Sequence, residues 1–323
     1  MSTKDRMCTT AFAPASIGNL SLGFDVLGAA LQPIDGSLIG DSVSVSRAEE
    51  TQLTVAGRFA DRLPGKTSDN IVMQCYHFFV EKLAALGQVP QPLQLHLEKR
   101  LPIGSGLGSS AASIVAALHA LNVHLDSPFN ADQLLLMMGE LEGRISGSVH
   151  YDNVAPCYVG GITLMTGDEQ SPAVKLPTID DWYWVVSYSG LSVSTAAARE
   201  ILPSQYNIQD TITFGRQIGV FVDALYRQDP IAAAKVIHDV IAEPWRKALL
   251  PGFDQARAYA MSNGALAFGI SGSGPTVFGI ASNLDDAQKI KTYLDQHYVQ
   301  NSDGFSHVCT IPNCGATAEQ HSE

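Results

Sequence analysis

The feature that most constrains this chain is a glycine- and serine-rich segment between a predicted strand and a predicted helix. The segment is Pro102-Ile103-Gly104-Ser105-Gly106-Leu107-Gly108-Ser109-Ser110-Ala111-Ala112. Leucines alternate with polar residues over 93–98, which predicts the strand, and apolar residues at helical spacing predict a helix over 109–125. Glycines let the backbone curl around an anion, which the free N–H groups and the positive helix end then face. We therefore predict a phosphate-binding loop here rather than a turn that only packs.

Other phosphate-binding motifs fit the chain poorly. The dinucleotide fingerprint requires a glycine where Ser109 stands, and the His-Arg-Asp and Asp-Phe-Gly motifs of protein kinases do not occur. Gly65-Lys66-Thr67 matches the second half of a Walker A loop, but Ala60 occupies the position of its first glycine. We predict that this tripeptide is a surface turn.

The remaining secondary structure is predicted from hydrophobic periodicity. A helix is expected over 69–86, with Ser68 or Asp69 as its cap, and others over 131–143, 211–228, 230–242 and 284–296. Strands are expected near 41–46, 52–55, 158–165, 183–187, 266–270, 276–280 and 304–310. Both halves of the chain are therefore expected to contain strands and helices.

Two domains are predicted. The 323 residues, of which 46% are hydrophobic, suffice for two cores. The stretch 167–177 is polar and contains proline, which is typical of a domain boundary. We expect a phosphate-binding N-terminal domain over residues 1–168, a C-terminal domain over 169–312 and a frayed polar tail over 313–323.

The charge balance excludes several classes of partner. A net charge of −12 disfavours nucleic acid and anionic lipid, and no apolar run reaches the roughly 20 residues of a membrane helix. Residues 1–6 are not followed by an apolar h-region, and the five scattered cysteines indicate a reducing compartment. Cys309 and Cys314 lack companions for a zinc site. The sequence predicts a cytoplasmic protein with neither nucleic-acid nor membrane partners.

Three segments together resemble the motifs of the GHMP kinases, a family that includes galactokinase, mevalonate kinase and homoserine kinase. They are residues 13–25, the predicted phosphate loop and residues 269–276, and they occur in the family's order across almost the whole chain. The resemblance implies an α+β, two-domain GHMP kinase fold. Its N-terminal, ATP-binding domain would be like domain 2 of ribosomal protein S5, and its C-terminal domain would be ferredoxin-like. It also implies ATP and Mg²⁺ as cofactors.

Within the family, the chain most resembles the homoserine kinases. Residues 142–144 and 150–156 are of that type, with Asn153 near the position where mevalonate kinase and galactokinase usually have a catalytic aspartate. Residues 194–199 and 243–246 strengthen the resemblance. One departure is Ser21-Leu22, where many homoserine kinases have Gly-Pro before Gly-Phe-Asp. The resemblance implies L-homoserine as the phosphate acceptor.

The resemblance also implies residues that bind this substrate. Asp25 would hold the amine, and Asn19 would hydrogen-bond the amine or the hydroxyl. Arg199 and Arg246 would hold the carboxylate, for which a guanidinium is well suited. The alternatives are turn chemistry for Asn19 and Asp25 and surface ion pairs for the arginines.

Two further residues are candidates for the substrate pocket. His150 could line it or be a structural histidine, and Thr195 could contact substrate or cap a helix. Both alternatives stay open from the sequence.

The catalytic residues implied by the resemblance are Asn153, Ser110 and Glu142. Ser110 and Glu142 would hold Mg²⁺, with Glu140 as a competitor for Glu142. Asn153 would orient the acceptor hydroxyl. No clear aspartate–lysine pair is placed to deprotonate that hydroxyl, so we predict direct in-line transfer, assisted by the loop amides.

Several interpretations remain open. Residues 271–274 form either a hairpin turn or, as the family resemblance implies, a support for the phosphate loop. Lys99 and Arg100 could contact phosphate, but a solvated strand end is the simpler interpretation. Thr67, Ser68 and Asn70 are candidates for the adenine side. A homodimer, a mevalonate or sugar acceptor, and a non-catalytic nucleotide-binding regulator are the alternatives for assembly and function.

Overall fold

The fold is described from a computed structural model over residues 7–146 and 149–322. In chain order the strands are β1 (Met7–Pro14), β2 (Ser16–Gly18), β3 (Leu27–Ala30), β4 (Gln32–Pro33), β5 (Gly40–Arg47), β6 (Gln52–Ala56), β7 (Leu93–Glu98), β8 (Ile162–Met165), β9 (Ala173–Leu176), β10 (Tyr183–Tyr188), β11 (Ala265–Ile270), β12 (Val277–Ala281), β13 (Phe305–Thr310) and β14 (Thr317–Ser322). The α-helices are α1 (Ile71–Ala85), α2 (Ser109–His124), α3 (Ala131–Ser146), α4 (Val154–Val159), α5 (Thr195–Glu200), α6 (Ile208–Tyr226), α7 (Pro230–Lys235), α8 (Glu243–Arg246), α9 (Phe253–Ser262) and α10 (Leu284–His297).

The first sheet has the strand order β14-β1-β5-β7-β6 and is antiparallel except between β6 and β7. In β7 the alternation predicted from the sequence places Leu93, Leu95 and Leu97 in the core and the residues between them on the other face. Helix α2 packs against this sheet, and α1 packs against α2. The phosphate loop joins β7 directly to α2.

Helix α2 runs through the largest hydrophobic core. Its alanines, including Ala111, Ala116 and Ala117, are fully buried. Small side chains allow the helix to approach β1 and β5 closely, so the position of its first turn is fixed by dense packing. The N-terminus of α2 therefore has a well-defined position for binding a ligand.

The other two sheets are antiparallel. One has the order β11-β12-β10-β13-β4, with α9 and α10 packed on it over a second hydrophobic cluster that includes Phe253, Ile290 and Leu294. The smaller one has the order β2-β3-β8-β9, with α4 beside it. Strand β9 lies beyond residue 168 yet pairs with β8, and β4 lies before it yet pairs with β13. The predicted boundary between residues 168 and 169 stays a prediction.

The expectation of a frayed C-terminal tail is wrong. Residues 317–322 form β14, which pairs with Met7–Phe12 of β1 in antiparallel register. The strand covers the edge of the first sheet, which would otherwise expose unpaired backbone groups. The pairing partner lies roughly 300 residues away in sequence, so local polarity gave no sign of it.

Several predicted helix limits also differ from the structure, and hydrogen bonds explain two of these differences. Helix α1 is capped by Asn70, whose Oδ1 accepts the N–H of Val72 at 2.9 Å, and not by Ser68 or Asp69. The helix predicted over 230–242 ends at Lys235, because Asp239 Oδ1 accepts the N–H groups of Ile241 and Ala242 and turns the chain. Within the described ranges, no helix is long and apolar enough to cross a membrane.

Candidate functional site

A cleft of about 720 Å³ gathers the predicted functional side chains from both halves of the chain. It is lined by all nine predicted substrate, catalytic and metal residues, which are Asn19, Asp25, Ser110, Glu142, His150, Asn153, Thr195, Arg199 and Arg246. From the predicted phosphate loop it is also lined by Ile103, Gly104, Ser105, Gly106, Gly108 and Ser109. Four further loop residues are buried behind this wall and support it, namely Pro102, Leu107, Ala111 and Ala112.

The phosphate loop has the conformation that its glycines allow. Gly104, Gly106 and Gly108 have φ of 66°, 79° and 65°, in the left-handed region. A Cβ on Gly106 would lie 2.4 Å from the Ser271 carbonyl oxygen. Gly108 stands at the cap position of α2 and supplies no side-chain acceptor. The first N–H groups of α2 are therefore left to bind an anion in the cleft.

Both interpretations of residues 271–274 hold in the structure. The segment connects antiparallel strands β11 and β12, and it packs on the phosphate loop. Ser271 Oγ donates to the Gly106 carbonyl at 2.6 Å, and the Thr276 N–H donates to the Ser105 carbonyl at 3.0 Å. The second half of the chain thus fixes the loop that the first half supplies.

The expectation that Lys99 is a solvated strand end is wrong. Its side chain is 2% exposed, and Nζ donates to Asp41 Oδ2 at 2.5 Å, to the Ser109 carbonyl at 2.9 Å and to Ser113 Oγ at 2.9 Å. A buried ammonium needs such partners. Lys99 consequently ties β5 to the first turn of α2. Arg100 is half-buried and donates to Ser42 Oγ.

Ser110 and Glu142 form an oxygen pair beside the phosphate loop. Ser110 Oγ donates to Glu142 Oε1 at 2.8 Å. Burial raises the pKa of Glu142, while the Ser110 hydrogen bond and the Lys99 charge oppose that rise. A carboxylate and a hydroxyl are ligands that suit Mg²⁺, which needs few protein ligands when phosphates complete its shell.

Glu140 does not compete for this position. It is exposed, accepts from Arg144 at 2.9 Å and from Lys82 at 3.3 Å, and does not line the cleft. No group of three or more His, Cys, Asp or Glu side chains suited to a metal occurs within residues 7–146 and 149–322. The oxygen pair is therefore the metal candidate in this cleft.

Asn153 is held from two sides. Ser16 Oγ donates to Asn153 Oδ1 at 2.9 Å, and Asn153 Nδ2 donates to Asp152 Oδ2 at 3.2 Å. Asp152 also lines the cleft and is 5% exposed. Burial, with the charges of Asp25 and Glu142, raises the pKa of Asp152 to about 7. Sequence reasoning missed Asp152 as a residue of the cleft and Ser16 as the hydrogen-bond partner of Asn153, although both lie inside the motifs that carried the resemblance.

Asp25 and Arg199 pair with each other across the cleft. Arg199 Nη2 donates to both carboxylate oxygens of Asp25, at 2.9 and 3.0 Å. Asn19 makes the turn contact that was its alternative interpretation, since its Oδ1 accepts the Asp25 N–H at 2.9 Å. Asn19 and Asp25 were predicted at the substrate amine and Arg199 at the carboxylate, whereas the structure links all three residues to one another.

Arg246 differs from Arg199 in being deeply buried. It is 3% exposed and donates to the carbonyls of Ala198 at 3.0 Å and Gly272 at 2.8 Å. Across the described part of the chain it makes no ion pair, so its surface-pair alternative is wrong. Burial lowers the pKa of Arg246. The Phe24 ring lies 5.1 Å from the Arg246 guanidinium and 5.4 Å from that of Arg199.

His150 and Thr195 complete the lining of the cleft. His150 Nδ1 lies 3.7 Å from Asp25 Oδ1, and burial lowers the pKa of His150. Thr195 begins α5, but the cap is Ser194, whose Oγ accepts the Ala197 N–H. The helix-cap alternative for Thr195 is therefore wrong.

The raised pKa of Asp152 predicts a pH-dependent instability. An unfolded aspartate has a pKa near ~3.9, so between about pH 4 and 7 the folded chain keeps a proton that the unfolded chain has lost. Stability falls as pH rises through that range, and Asp152→Asn removes the fall. We expect the variant's advantage in free energy of unfolding to grow by about 2 kcal/mol between about pH 5 and pH 8.

Urea unfolding of both proteins without nucleotide or metal measures this difference. Asp61→Asn, at an exposed position, is the matched control and should show no growing advantage. The prediction would be contradicted if the difference in free energy of unfolding between Asp152→Asn and the wild-type protein were the same at both pH values.

A cleft with helix-terminal N–H groups on one wall and a buried guanidinium on another suits an anionic small molecule. Comparison with family models identifies the class of protein. Residues 70–161 match the model of the GHMP kinases N terminal domain, and residues 221–300 match the GHMP kinases C terminal model. The chain belongs to the GHMP kinase family, whose members use ATP as the phosphate donor. The predicted two-domain α+β GHMP kinase fold is confirmed.

Solved structures extend the comparison over the whole chain. Homoserine kinase from Cytophaga hutchinsonii ATCC 33406 matches with a TM-score of 0.87 and 33% sequence identity, covering 99% of each chain. A Listeria monocytogenes protein, named provisionally as a homoserine kinase, matches with a TM-score of 0.70 and 21% identity over 96% of this chain and 99% of its own. Methanococcus jannaschii mevalonate kinase matches with a TM-score of 0.69 and 14% identity over 94% and 98%. The last two similarities concern the fold alone.

Proposed function

We propose that this protein transfers the γ-phosphate of ATP to the hydroxyl of L-homoserine, giving O-phospho-L-homoserine for threonine biosynthesis. The observation that carries the proposal is the buried Arg246, which faces a cleft that also holds the Asp25–Arg199 pair. Such a cleft suits a ligand with both a carboxylate and an ammonium. A neutral sugar offers neither group, and mevalonate lacks the ammonium. The 33% identity with a homoserine kinase over the full chain supports the same substrate.

Substrate binding follows from the charges in the cleft. The substrate carboxylate would take the free side of the Arg246 guanidinium, with Arg199 beside it. The substrate ammonium would take Asp25, whose charge Arg199 already partly balances. Asn153 would orient the hydroxyl through the amide hydrogen that does not bond to Asp152.

Phosphoryl transfer would then proceed by positioning. The N–H groups at the start of α2 hold the transferred phosphate against the hydroxyl, which attacks in line. Ser110 and Glu142 would hold Mg²⁺, which supplies charge neutralisation for the phosphates when bound. The hydroxyl proton leaves to a phosphate oxygen or to solvent. The chain needs no dedicated base for this route.

A coupled ADP-release assay with L-homoserine, mevalonate and galactose tests the substrate. We expect turnover with L-homoserine and at most background turnover with the others, because only L-homoserine matches both charges of the cleft. Turnover with mevalonate but not with L-homoserine would show that the protein is a GHMP kinase with a different substrate from the one proposed. ATP binding without a phosphorylated product from any acceptor would favour a non-catalytic regulator.

A further inference from the structure

Ser16 lies between the phosphate loop, which would hold the transferred phosphate, and Asn153, which would orient the acceptor hydroxyl. It does not itself line the cleft. It is the first residue of β2 and is fully buried. Its N–H donates to the Leu107 carbonyl in the phosphate loop at 3.1 Å. Backbone pairing therefore fixes Ser16 relative to the segment that would hold the transferred phosphate.

The hydroxyl of Ser16 contacts Asn153, the residue that would orient the acceptor hydroxyl. The single proton of the Ser16 hydroxyl is donated to Asn153 Oδ1 at 2.9 Å. Ser16 Oγ in turn accepts a hydrogen bond from Cys157 Sγ at 3.5 Å. Asp152 accepts from the other end of the same amide. Because Ser16 donates to the amide oxygen of Asn153 and Asp152 accepts from its amide nitrogen, only one of the two flipped orientations of the amide satisfies both contacts.

The space around this contact is closed. A Cβ on Gly108 would lie 2.2 Å from Ser16 Oγ and 3.0 Å from Asn153 Oδ1. The cap position of α2, the serine hydroxyl and the amide therefore pack with no room for a side chain between them. Within this tight contact, the Ser16 hydroxyl is the group that hydrogen-bonds the amide oxygen.

We infer that Ser16 is a positioning residue, which sets the Asn153 amide at a fixed distance from the phosphate loop and so aligns the acceptor hydroxyl for in-line attack. The inference rests on the proposed role of Asn153 and extends it. Reaction rates are sensitive to such alignment, since a misplacement of about 1 Å can cost about 100-fold. Ser16 acts through Asn153 and makes no contact with the reactants.

The test is a double-mutant cycle on kcat with the acceptor that the wild-type protein phosphorylates. Ser16→Ala should lower kcat by about 10- to 100-fold, with the KM for ATP and for the acceptor changed less than about 3-fold. In an Asn153→Ala background the same Ser16 change should lower kcat less than about 2-fold, because the amide it positions is gone. Ser187→Ala is the matched control. Ser187 is fully buried and accepts from Ser306 Oγ at 2.8 Å in another sheet, so kcat should stay within about 2-fold.

The outcomes separate this inference from the proposed function. If L-homoserine is not the acceptor, the ADP-release assay with the wild-type protein shows it. The double-mutant cycle is then run with the acceptor that the wild-type protein does phosphorylate. Equal kcat losses in both backgrounds, or an unchanged kcat in Ser16→Ala, would overturn the positioning role. If the alanine variant does not fold, Ser16→Cys keeps nearly the same volume with a weaker donor, and the same non-additivity is expected.

Discussion

Replacing Arg246 by leucine should raise the KM for L-homoserine by about 100-fold or more, while the affinity for ATP changes less than about 3-fold. The variant leaves the substrate carboxylate desolvated without its partner, which costs about 3 kcal/mol or more, and 1.4 kcal/mol corresponds to tenfold. The effect is large because Arg246 is buried, and within the described ranges no protein carboxylate pairs with it. Steady-state kinetics with L-homoserine and with ATP measure both constants.

An acceptor without a carboxylate gives the sharper form of this prediction. 3-Aminopropan-1-ol is L-homoserine with the carboxylate removed. The wild-type protein should prefer L-homoserine strongly, and Arg246→Leu should lose most of that preference, because the interaction that distinguishes the two acceptors is missing. A preference that survives in the variant would place the carboxylate elsewhere.

Two control variants separate binding from folding. Arg246→Lys keeps the charge but not the two-pronged donor geometry, so it should fall between the wild-type protein and the leucine variant. Arg216→Leu removes an exposed arginine of α6 that does not line the cleft and should leave the KM unchanged. Unfolding curves of all three variants show whether the loss of the Ala198 and Gly272 contacts alters stability.

The local parts of the fold were predictable because short-range periodicity determines them. The leucines of β7, the three glycines of the loop and the apolar face of α2 are adjacent in sequence, so strand, turn and helix followed from 93–125 alone. Strand β14 was not predictable, because its partner β1 lies at the other end of the chain. Its polar residues form a strand only because their backbone pairs with the edge strand β1 of the folded sheet.

The site shows the same division between local and long-range information. The motifs named the side chains that line the cleft, but they could not show which ones pair. Lys99 would be exposed at the end of an isolated strand, and it is buried because β5 places Asp41 beside it. Arg199 was predicted to hold the substrate carboxylate, and the sequence did not show that the turn at Asn19 presents Asp25 to it as well. Such pairings depend on how elements far apart in sequence meet.

Replacing Glu142 by glutamine should lower kcat by about 100- to 1000-fold at a fixed Mg²⁺ concentration and raise the Mg²⁺ concentration needed for half-maximal rate. The amide keeps the shape of the side chain and an acceptor for Ser110, so the fold survives, but the charge that attracts the cation is lost. Ser110→Ala should act in the same direction. Glu140→Gln is the matched control two residues away and should leave the Mg²⁺ dependence unchanged, because Glu140 is exposed and bonded to Arg144.

The pH dependence of Ser110→Ala tests whether the Ser110 hydroxyl keeps the Glu142 carboxylate ionised for the metal. Burial raises the pKa of Glu142, and the Ser110 hydrogen bond opposes that rise. Without the hydroxyl the pKa of Glu142 rises further, so a smaller fraction of the carboxylate is ionised as pH falls. The Mg²⁺ requirement of Ser110→Ala should therefore exceed that of the wild-type protein by a factor that grows as pH falls. Wild-type Mg²⁺ dependence in both variants would remove Ser110 and Glu142 from the metal site, and a constant factor would show that the Ser110 hydroxyl does not control the ionisation of Glu142.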